Sequence, residues 1–183
     1  MYAKTLRADA ASNITRILDA ARRAFGDPDT TVALSHIAQE AGVAAATLYR
    51  HFPSRQRLAE AVYARLFRAE IDPLFARLAK SDAPREAMRQ IAEEISDVIR
   101  RERGLMLALG TLGPATAELL EDRRELLEGL VQRGQKAGNI RADITADDIV
   151  LLLGVLASAS ALLEVKPDQR RRRTDLLLDA LRP

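Results

Sequence analysis

The sequence contains no cysteine, so disulfide bonds, thiolate metal ligands and cysteine nucleophiles are excluded. Histidine is nearly as scarce, because the chain holds only His36 and His51. No glycine-rich phosphate-binding loop occurs, and the neighbouring carboxylates Glu93 and Glu94 point to different faces of a predicted helix. With so few groups able to act as acid, base or nucleophile, we predict no catalytic residues, no metal site and no cofactor, and hence no enzyme.

Aromatic residues and long apolar runs are also few. Tryptophan is absent, and no aromatic residue follows Phe75. The longest uncharged apolar stretch, Ile149 to Leu163, has 15 residues, fewer than the roughly 20 that a membrane-spanning helix needs. The first residues lack the apolar core of a secretion signal. We therefore expect a cytoplasmic protein without a membrane partner.

What the chain does contain is a helix-turn-helix pattern at residues 34–52. Leu34, Ile37 and Ala41 recur at helical spacing, which predicts a short helix with one apolar face. Gly42 follows where the chain must turn, because a residue without a Cβ atom adopts positive φ without strain. A second short helix, about residues 45–51, leaves these side chains outward: Thr47, Tyr49, Arg50 and His51. Such a helix is typical of one that enters the major groove of DNA.

The residues of this pattern also resemble a known family signature. It reads Ile37-Ala38-x-x-Ala41-Gly42-Val43, followed by Thr47-Leu48-Tyr49-Arg50-His51-Phe52-Pro53-Ser54-Arg55, and is similar to that of tetracycline-repressor (TetR) family regulators over about residues 10–65. The resemblance implies an all-α fold in which a three-helix, helix-turn-helix DNA-binding domain occupies residues 1–53. It also implies that helix 4 joins this domain to a helical ligand-binding and dimerisation domain at residues 54–183.

Side-chain chemistry and the resemblance together give a candidate DNA interface. The hydroxyls of Thr47 and Tyr49 can donate hydrogen bonds to phosphate oxygens, and Arg50 can reach base edges. Ala45 and Ala46 offer methyl contacts to thymine but no hydrogen bonds. The predicted DNA-binding residues are Ser35, His36, Ala45, Ala46, Thr47, Tyr49, Arg50, His51 and Arg55.

The distribution of charge agrees with a double-stranded DNA partner. The net charge of the whole chain is only +2. Residues 1–57 hold 8 Lys and Arg against 5 Asp and Glu, whereas residues 58–183 hold 20 against 21. Positive charge therefore gathers in the segment that carries the motif, as attraction to phosphate favours.

Helix start and stop residues predict the neighbouring elements. Asp9 is predicted to cap the first helix, which leaves residues 1–8 as an arm. Ser54 is predicted to cap a fourth helix that runs to about residue 80. Gly104 is predicted to end a later helix.

The resemblance also implies a pocket among helices 4–7 for a small-molecule effector that the sequence does not identify. Because aromatic residues are absent beyond Phe75, the predicted lining of its C-terminal part is aliphatic. The candidate residues are Phe67, Met88, Ile91, Ile95, Met106, Leu109 and Leu112. Apolar side chains at helical spacing also form ordinary protein core, so both interpretations stay open.

The most apolar helix, about residues 147–164, is predicted to form part of a homodimer interface. Thr145 and Asp148 form a capping-box pattern at its start. Small residues recur on one strip of this helix and let another helix approach closely. With leucines of the last helix, the predicted interface residues are Gly154, Ala157, Ser158, Ala161, Leu177 and Leu181. The alternative is a helix buried inside one chain.

Taken together, these features predict a sequence-specific DNA-binding transcriptional regulator. We expect a homodimeric repressor that binds a palindromic operator and that a small molecule releases. The alternative is a regulator that activates transcription or works without a ligand.

Overall fold

A computed structural model describes residues 2–26, 32–81, 84–110, 113–162 and 167–182. Across these ranges the chain forms helices joined by turns, and none of them contains a strand. The predicted all-α fold is therefore confirmed. None of the described helices has the length and apolarity needed to cross a membrane.

The described α-helices range in length from 7 to 25 residues. They are α1 (Tyr2–Gly26), α2 (Leu34–Glu40), α3 (Ala45–His51), α4 (Arg55–Leu66), a π-helical segment (Phe67–Ile71), α5 (Asp72–Ala79), α6 (Pro84–Arg101), α7 (Arg103–Leu109), α8 (Gly113–Glu121), α9 (Arg124–Lys136), α10 (Ala146–Leu162) and α11 (Pro167–Asp179).

The chain folds into two compact units, and each consists of two stretches of sequence. The first unit comprises Met1–Leu66 and Glu102–Ala115, and the second comprises Phe67–Arg101 and Thr116–Pro183. The first unit thus takes in α4 and α7 in addition to the three N-terminal helices. The compact units do not meet at residue 53, where the sequence predicts the boundary between the DNA-binding and ligand-binding domains. That functional boundary stays a prediction.

In the first unit, α1 supplies the apolar face on which the short helices pack. Ile17, Ala21 and Phe25 are buried at helical spacing. The helix begins at Tyr2, however, so Asp9 lies inside it and the predicted arm is wrong over residues 2–8. That segment is rich in alanine, leucine, lysine and arginine, and their helix propensity extends α1 beyond the expected cap.

At Gly104, the helix α7 lies so close to α1 that no side chain fits between the two backbones. A Cβ atom at Gly104 would lie 1.9 Å from the backbone oxygen of Phe25. Gly104 lies in the first turn of α7, whereas α6 already ends at Arg101, so its predicted role as a helix terminator is wrong. Gly104 instead permits a close approach of two backbones that any side chain would prevent.

A partly buried ion pair links α1 to the residue that precedes α7. The carboxylate of Glu102 is 7% exposed and accepts hydrogen bonds from the guanidinium of Arg22 on α1, with 2.5 Å between Nη2 and Oε1. The Arg22 Nε atom lies 3.2 Å from the same oxygen. Since Glu102 immediately precedes α7, this pair and the glycine contact fix the start of α7 against α1.

The predicted helix from Ser54 to about residue 80 is interrupted in the structure. Its start is confirmed, because the backbone amide of Arg57 donates a 3.1 Å hydrogen bond to Ser54 Oγ. After Leu66 the chain makes the π-helical segment and continues as α5 to Ala79. The first stretch of the first unit ends at Leu66, so the π-helical segment begins where the chain enters the second unit.

In the second unit, α6 packs along α10. Met88, Ile91 and Ile95 lie on the buried face of α6, while Ile149 and Leu153 are buried on α10. The spacing of three to four residues in each set is that of one helical face. These residues form the centre of the core of this unit.

The start of α10 is capped as predicted. Asp148 Oδ2 accepts a 2.8 Å hydrogen bond from the backbone amide of Thr145, and Thr145 Oγ1 accepts one of 3.2 Å from the amide of Asp148. The Thr145 hydroxyl also donates a 2.7 Å hydrogen bond to Asp148 Oδ2, and this bond, together with the one from the Thr145 amide, holds the pKa of the Asp148 carboxyl below its usual value. The reciprocal arrangement is a capping box in which aspartate replaces glutamate.

A second ion pair ties α5 to the turn between α8 and α9. Arg123 Nε lies 2.5 Å and Nη2 lies 2.7 Å from the two carboxylate oxygens of Asp72. The bidentate hydrogen bonds lower the pKa of the Asp72 carboxyl. Because the folded state favours the ionised carboxylate, this pair stabilises the second unit at neutral pH.

Candidate nucleic-acid interface

The turn between α2 and α3 has the geometry predicted from the sequence. Gly42 adopts φ of +64°, the left-handed conformation that favours glycine. The backbone amide of Val43 donates a 3.0 Å hydrogen bond to the Ala38 carbonyl, and that of Gly42 donates one of 3.0 Å to Gln39. These bonds end α2 and direct the chain into α3 within four residues.

Two arginines of α1 hold this turn in place, and the sequence interpretation did not include them. The Arg23 guanidinium lies 2.7 Å from the carboxylate of Glu40 at the end of α2. Arg16 Nη1 lies 3.5 Å from the carbonyl oxygen of Gly42. Arg16 and Arg23 are seven residues apart and so lie on one face of α1, a spacing that could have identified them.

The helix α3 presents one buried residue to the unit and several polar residues to solvent. Leu48 is fully buried, whereas Tyr49 is 48% exposed. Arg50 is exposed as well, and Thr47 is half-buried. Ala45 and Ala46, in the first turn, are exposed. The predicted bounds of this helix, 45–51, are those observed.

His51 differs from its neighbours on α3. Its side chain is half-buried, and its Nε2 atom is buried without a hydrogen-bond partner in the described ranges. Its ring lies 6.3 Å from that of Phe52, centroid to centroid. One side of the imidazole therefore faces protein, so His51 is less accessible to a ligand than Tyr49 or Arg50.

The helix α2 starts without a side-chain cap. Ala33 stands at the N-cap position, and its carbonyl accepts the amides of His36 at 3.0 Å and Ile37 at 3.2 Å. Ser35 and His36 are exposed in this first turn. Their side chains, like those of α3, are available to an external partner.

Arg55 is engaged within the protein. Its Nη1 atom donates a 2.6 Å hydrogen bond to the carbonyl oxygen of Val32, just before α2. Its guanidinium carbon lies 4.6 Å from the centre of the Phe25 ring, in the geometry of a cation–π contact. Arg55 thus links α1, the start of α2 and α4, and a guanidinium with five N–H donors retains others for a phosphate.

This arrangement suits recognition of an anion-lined groove. The short helix α3 carries an exposed phenol and an exposed guanidinium on its outer face, whereas its buried face is apolar. No group of three His, Asp or Glu side chains positioned to hold a metal ion occurs in the part of the chain that the structure describes. The exposed phenol and guanidinium of this surface are hydrogen-bond donors.

The predicted effector-binding residues fall in both units. Met88, Ile91 and Ile95 are buried in α6 and Phe67 in the π-helical segment, all in the second unit. Phe67 stacks with Phe75 at 6.4 Å between ring centres. In the first unit, α7 contains both other described candidates, the half-buried Met106 and the buried Leu109. Leu112 lies outside the described residues.

The residues predicted to form the dimer interface differ in their exposure. Gly154 is exposed, Ser158 is half-buried and Leu177 is 40% exposed. Ala157 and Leu181, in contrast, are buried by their own chain and so are not available to a partner. The side chain of Ala161 lies outside the described residues. Other large apolar side chains are exposed on the same two helices: Leu151, Val155 and Leu176.

Comparison with known proteins identifies the class to which this helix-turn-helix belongs. Residues 17–62 match the family described as bacterial regulatory proteins, tetR family. Residues 83–183 match the family described as transcriptional regulator SbtR-like, C-terminal domain. The comparison with curated proteins yields no match.

Solved structures are similar over nearly the whole chain. A TetR transcription regulatory protein from Mycobacterium vanbaalenii is 30% identical, with 97% of this chain and 99% of that chain covered and a TM-score of 0.57. A TetR transcriptional regulator from Streptomyces coelicolor is 33% identical, with 93% and 98% covered and a TM-score of 0.52. RolR, in complex with its ligand resorcinol, shares the fold at 20% identity, 96% and 90% coverage and a TM-score of 0.73.

The helix-turn-helix and these matches define a DNA-binding transcription regulator rather than an enzyme. The chain belongs to the TetR family.

Proposed function

We propose that this protein is a homodimeric repressor that binds a palindromic operator and is released from it by a small molecule. The observation that carries the proposal is the exposed polar face of α3, on which Tyr49 and Arg50 project from a helix anchored by the buried Leu48. In a helix-turn-helix protein, the second helix enters the major groove. Membership of the TetR family supports this assignment.

The exposures on α2 and α3 support distinct roles for the predicted residues. Tyr49 and Thr47 bind phosphate oxygens through their hydroxyls, and Arg50 reaches a base edge or a phosphate. In the first turn of α2, Ser35 and His36 contact the phosphate backbone of the DNA. In the first turn of α3, Ala45 and Ala46 make methyl contacts to thymine. His51 and Arg55 play supporting parts, because each already has a side buried against protein.

A homodimer explains the exposed apolar side chains of α10 and α11. Leu151 is 67% and Leu176 is 60% exposed in the single chain. Exposed apolar surface that is contiguous marks an interaction site in soluble proteins. Two recognition helices related by a two-fold axis then read half-sites about 34–36 Å apart, or a multiple of that distance.

The proposed release from DNA requires a small-molecule effector, whose chemistry the candidate residues restrict. RolR binds resorcinol and shares the fold. The candidate residues here are aliphatic apart from Phe67, so we expect a small apolar effector with few polar groups. Such a ligand releases DNA only if it binds more tightly to the state in which the half-site spacing no longer fits.

A specific observation favours regulation without a ligand as the second candidate. Met88 and Ile91 are 2% and 1% exposed, so both are packed by protein on all sides. A residue that lines a preformed, open pocket has accessible surface, which these do not. Effector binding at these residues therefore requires the α6 core to open, whereas a ligand-independent regulator requires no such change.

The proposal is tested by selecting binding sites from a pool of random DNA duplexes and titrating the selected sequence against salt. We expect a single palindrome to be enriched, with an affinity that falls steeply as salt rises, because phosphate contacts release counterions. A screen of small apolar molecules for loss of operator binding then tests release. If a palindrome is enriched but no molecule releases the protein from it, the ligand-independent candidate is favoured. If no sequence is enriched, even after the protein has been unfolded and refolded to remove bound ligand, the assignment of DNA binding to α3 is refuted.

A further inference from the structure

The helix α2 begins without a side-chain cap to hold its first turn. Ala33 stands at the N-cap position, where serine, threonine, asparagine or aspartate ordinarily accepts a hydrogen bond from a free backbone amide. A methyl group accepts none, and the first turn of α2 contains no acidic residue. The helix has only seven residues, so its ends account for most of its backbone groups. The start of α2 therefore depends on contacts with other parts of the chain.

Arg55, the first residue of α4, contacts the chain immediately before this turn. Its Nη1 atom donates a 2.6 Å hydrogen bond to the carbonyl oxygen of Val32, the residue that precedes the N-cap. Both residues are half-buried, so water competes less for this bond than at an open surface. A charged donor also makes a stronger hydrogen bond than a neutral one. The bond therefore restrains the backbone at the point where α2 starts.

A second contact of Arg55 is made with the ring of Phe25, near the end of α1. The guanidinium carbon lies 4.6 Å from the ring centre. Phe25 is 1% exposed, and its backbone oxygen lies against Gly104, where a Cβ atom would be only 1.9 Å away. The ring is a fixed platform, because its side chain is buried and its backbone is packed against that of α7. Arg55 therefore joins the start of α2 to the fixed end of α1.

The two contacts of Arg55 depend on the shape of its guanidinium. The planar face of this group stacks on an aromatic ring, while an N–H at its edge donates a hydrogen bond. A lysine ammonium carries the same charge but is a compact point charge without a planar face. Exchanging arginine for lysine at this position therefore separates the geometry of the side chain from its charge.

We propose that Arg55 is a positioning residue for DNA binding, which fixes the start of α2 in place of a helix cap and does not itself bind phosphate. Through Val32 it holds the first turn of α2, in which Ser35 and His36 are exposed. Ser35 and His36 are the residues of α2 proposed to contact the DNA backbone, so this inference rests on the proposed function and deepens it. It gives Arg55 a role different from the direct DNA contact predicted from the sequence.

The test compares Arg55→Lys, which keeps the charge, with Arg55→Gln, which removes it, in the full-length protein. Fluorescence anisotropy gives the affinity for the selected operator at a series of salt concentrations. We expect both variants to weaken binding by about 5- to 10-fold, because each loses the stack on Phe25. The slope of log affinity against log salt should stay the same in both, because that slope counts phosphate contacts.

A phosphate ligand at this position would give a different pattern. Arg55→Lys would then bind the operator with unaltered affinity, because the positive charge is kept. Arg55→Gln would lose affinity, and the slope of its salt dependence would fall by about one. This combination would overturn the inference.

A cap added to α2 tests whether the effect of Arg55 passes through this helix. Ala33 is exposed, so Ala33→Ser places a hydroxyl at the N-cap position without a clash. Combined with Arg55→Lys, this substitution should recover about 3- to 5-fold of the lost affinity, whereas alone it should change the affinity by less than about twofold. Equal effects of Ala33→Ser with and without Arg55→Lys would mean that the two positions act independently, and the inference would fail.

Arg57→Lys is the matched control, since it makes the same exchange two residues along the same helix. The Arg57 side chain is 71% exposed, and its guanidinium pairs with Glu60 within α4. We expect Arg57→Lys to change the operator affinity by less than about twofold. Urea unfolding followed by circular dichroism shows that each variant is folded under the conditions of the binding assay. A loss of affinity in Arg57→Lys as large as that in Arg55→Lys would contradict the proposed role.

Hydrogen exchange of backbone amides gives a readout that requires no DNA. The amides of His36 and Ile37 donate hydrogen bonds to the Ala33 carbonyl in the first turn of α2. We expect both amides to exchange about 5-fold faster in Arg55→Lys and at unaltered rates in Arg57→Lys. Unaltered exchange in Arg55→Lys would refute the link between Arg55 and α2. A protein that selects no DNA sequence would refute the proposed function instead, and the exchange rates would still test this link.

Discussion

Replacing Gly104 by alanine should destabilise the first unit although alanine is the better helix former. The new Cβ atom would lie 1.9 Å from the Phe25 backbone oxygen and 3.2 Å from the backbone carbon of Gly26. Because those atoms belong to the backbone of α1, no side-chain rotation relieves the clash, and α7 must move away. Overpacking of this kind costs about 1–3 kcal/mol. The helix propensity of alanine returns roughly 0.5–1 kcal/mol.

The expected net loss of about 1–2 kcal/mol is measurable by urea unfolding followed by circular dichroism. With a denaturant dependence of about 1–3 kcal/mol per molar for small proteins, the midpoint should fall by roughly 0.3–2 M. Gly26→Ala is the control, since a Cβ atom there meets nothing within 4 Å. The reasoning is refuted if Gly104→Ala unfolds at the same or a higher urea concentration than the unaltered protein.

Three further predictions concern the DNA interface, the second unit and a helix cap. Tyr49→Phe and Arg50→Ala should each weaken operator binding by about 3- to 10-fold, because each removes one hydrogen-bonding group. Arg50→Ala should also lower the salt dependence of the operator affinity. Fluorescence anisotropy measures both effects. Asp72→Asn should lower the free energy of unfolding at pH 7 by up to about 1 kcal/mol. The folded state lowers the pKa of Asp72, so the stability difference between the two proteins should disappear as the pH falls below the ordinary carboxyl pKa of about 3.9 and through the lower pKa of the folded state. Thr145→Ala should cost about 1 kcal/mol by removing a helix cap, as measured by thermal unfolding.

Each of these predictions has an outcome that contradicts it. Unchanged operator affinity in both α3 variants would move the DNA site elsewhere, provided that sedimentation shows an intact dimer. A stability difference for Asp72→Asn that stays constant from pH 7 to pH 2 would show that the ion pair is not its cause. Thr145→Ser retains the hydroxyl and serves as the control for the cap, so equal losses in the serine and alanine variants would refute the capping role.

Local signals were sufficient to predict the helix-turn-helix. Gly42 marks the turn because its positive φ is a property of one residue, and Leu48 marks the buried side of α3 by its spacing from the motif. The cap at Thr145 is likewise a contact between residues three apart. Such features depend on a few neighbouring residues, so the sequence alone determines them.

Features that depend on distant parts of the chain were harder to predict. Gly104 has the same local pattern whether it ends a helix or permits a close approach, and only the position of Phe25 distinguishes the two. The pair of Arg22 and Glu102 joins residues 80 positions apart and has no local signature. Ala157 was assigned to the dimer interface from its small size, yet small residues serve equally well against a helix of the same chain, which is where it lies.

The two stretches of sequence that form the first unit are synthesised at different times. Its second stretch, Glu102–Ala115, emerges only after the 35 residues of Phe67–Arg101, which belong to the other unit. At a synthesis rate of about 5–20 residues per second, α1 and α4 wait on the order of seconds before α7 can cover them. During that interval the nascent chain exposes apolar surface of α1 and α4, so this stage of translation is the one at which we expect the protein to depend most on chaperones.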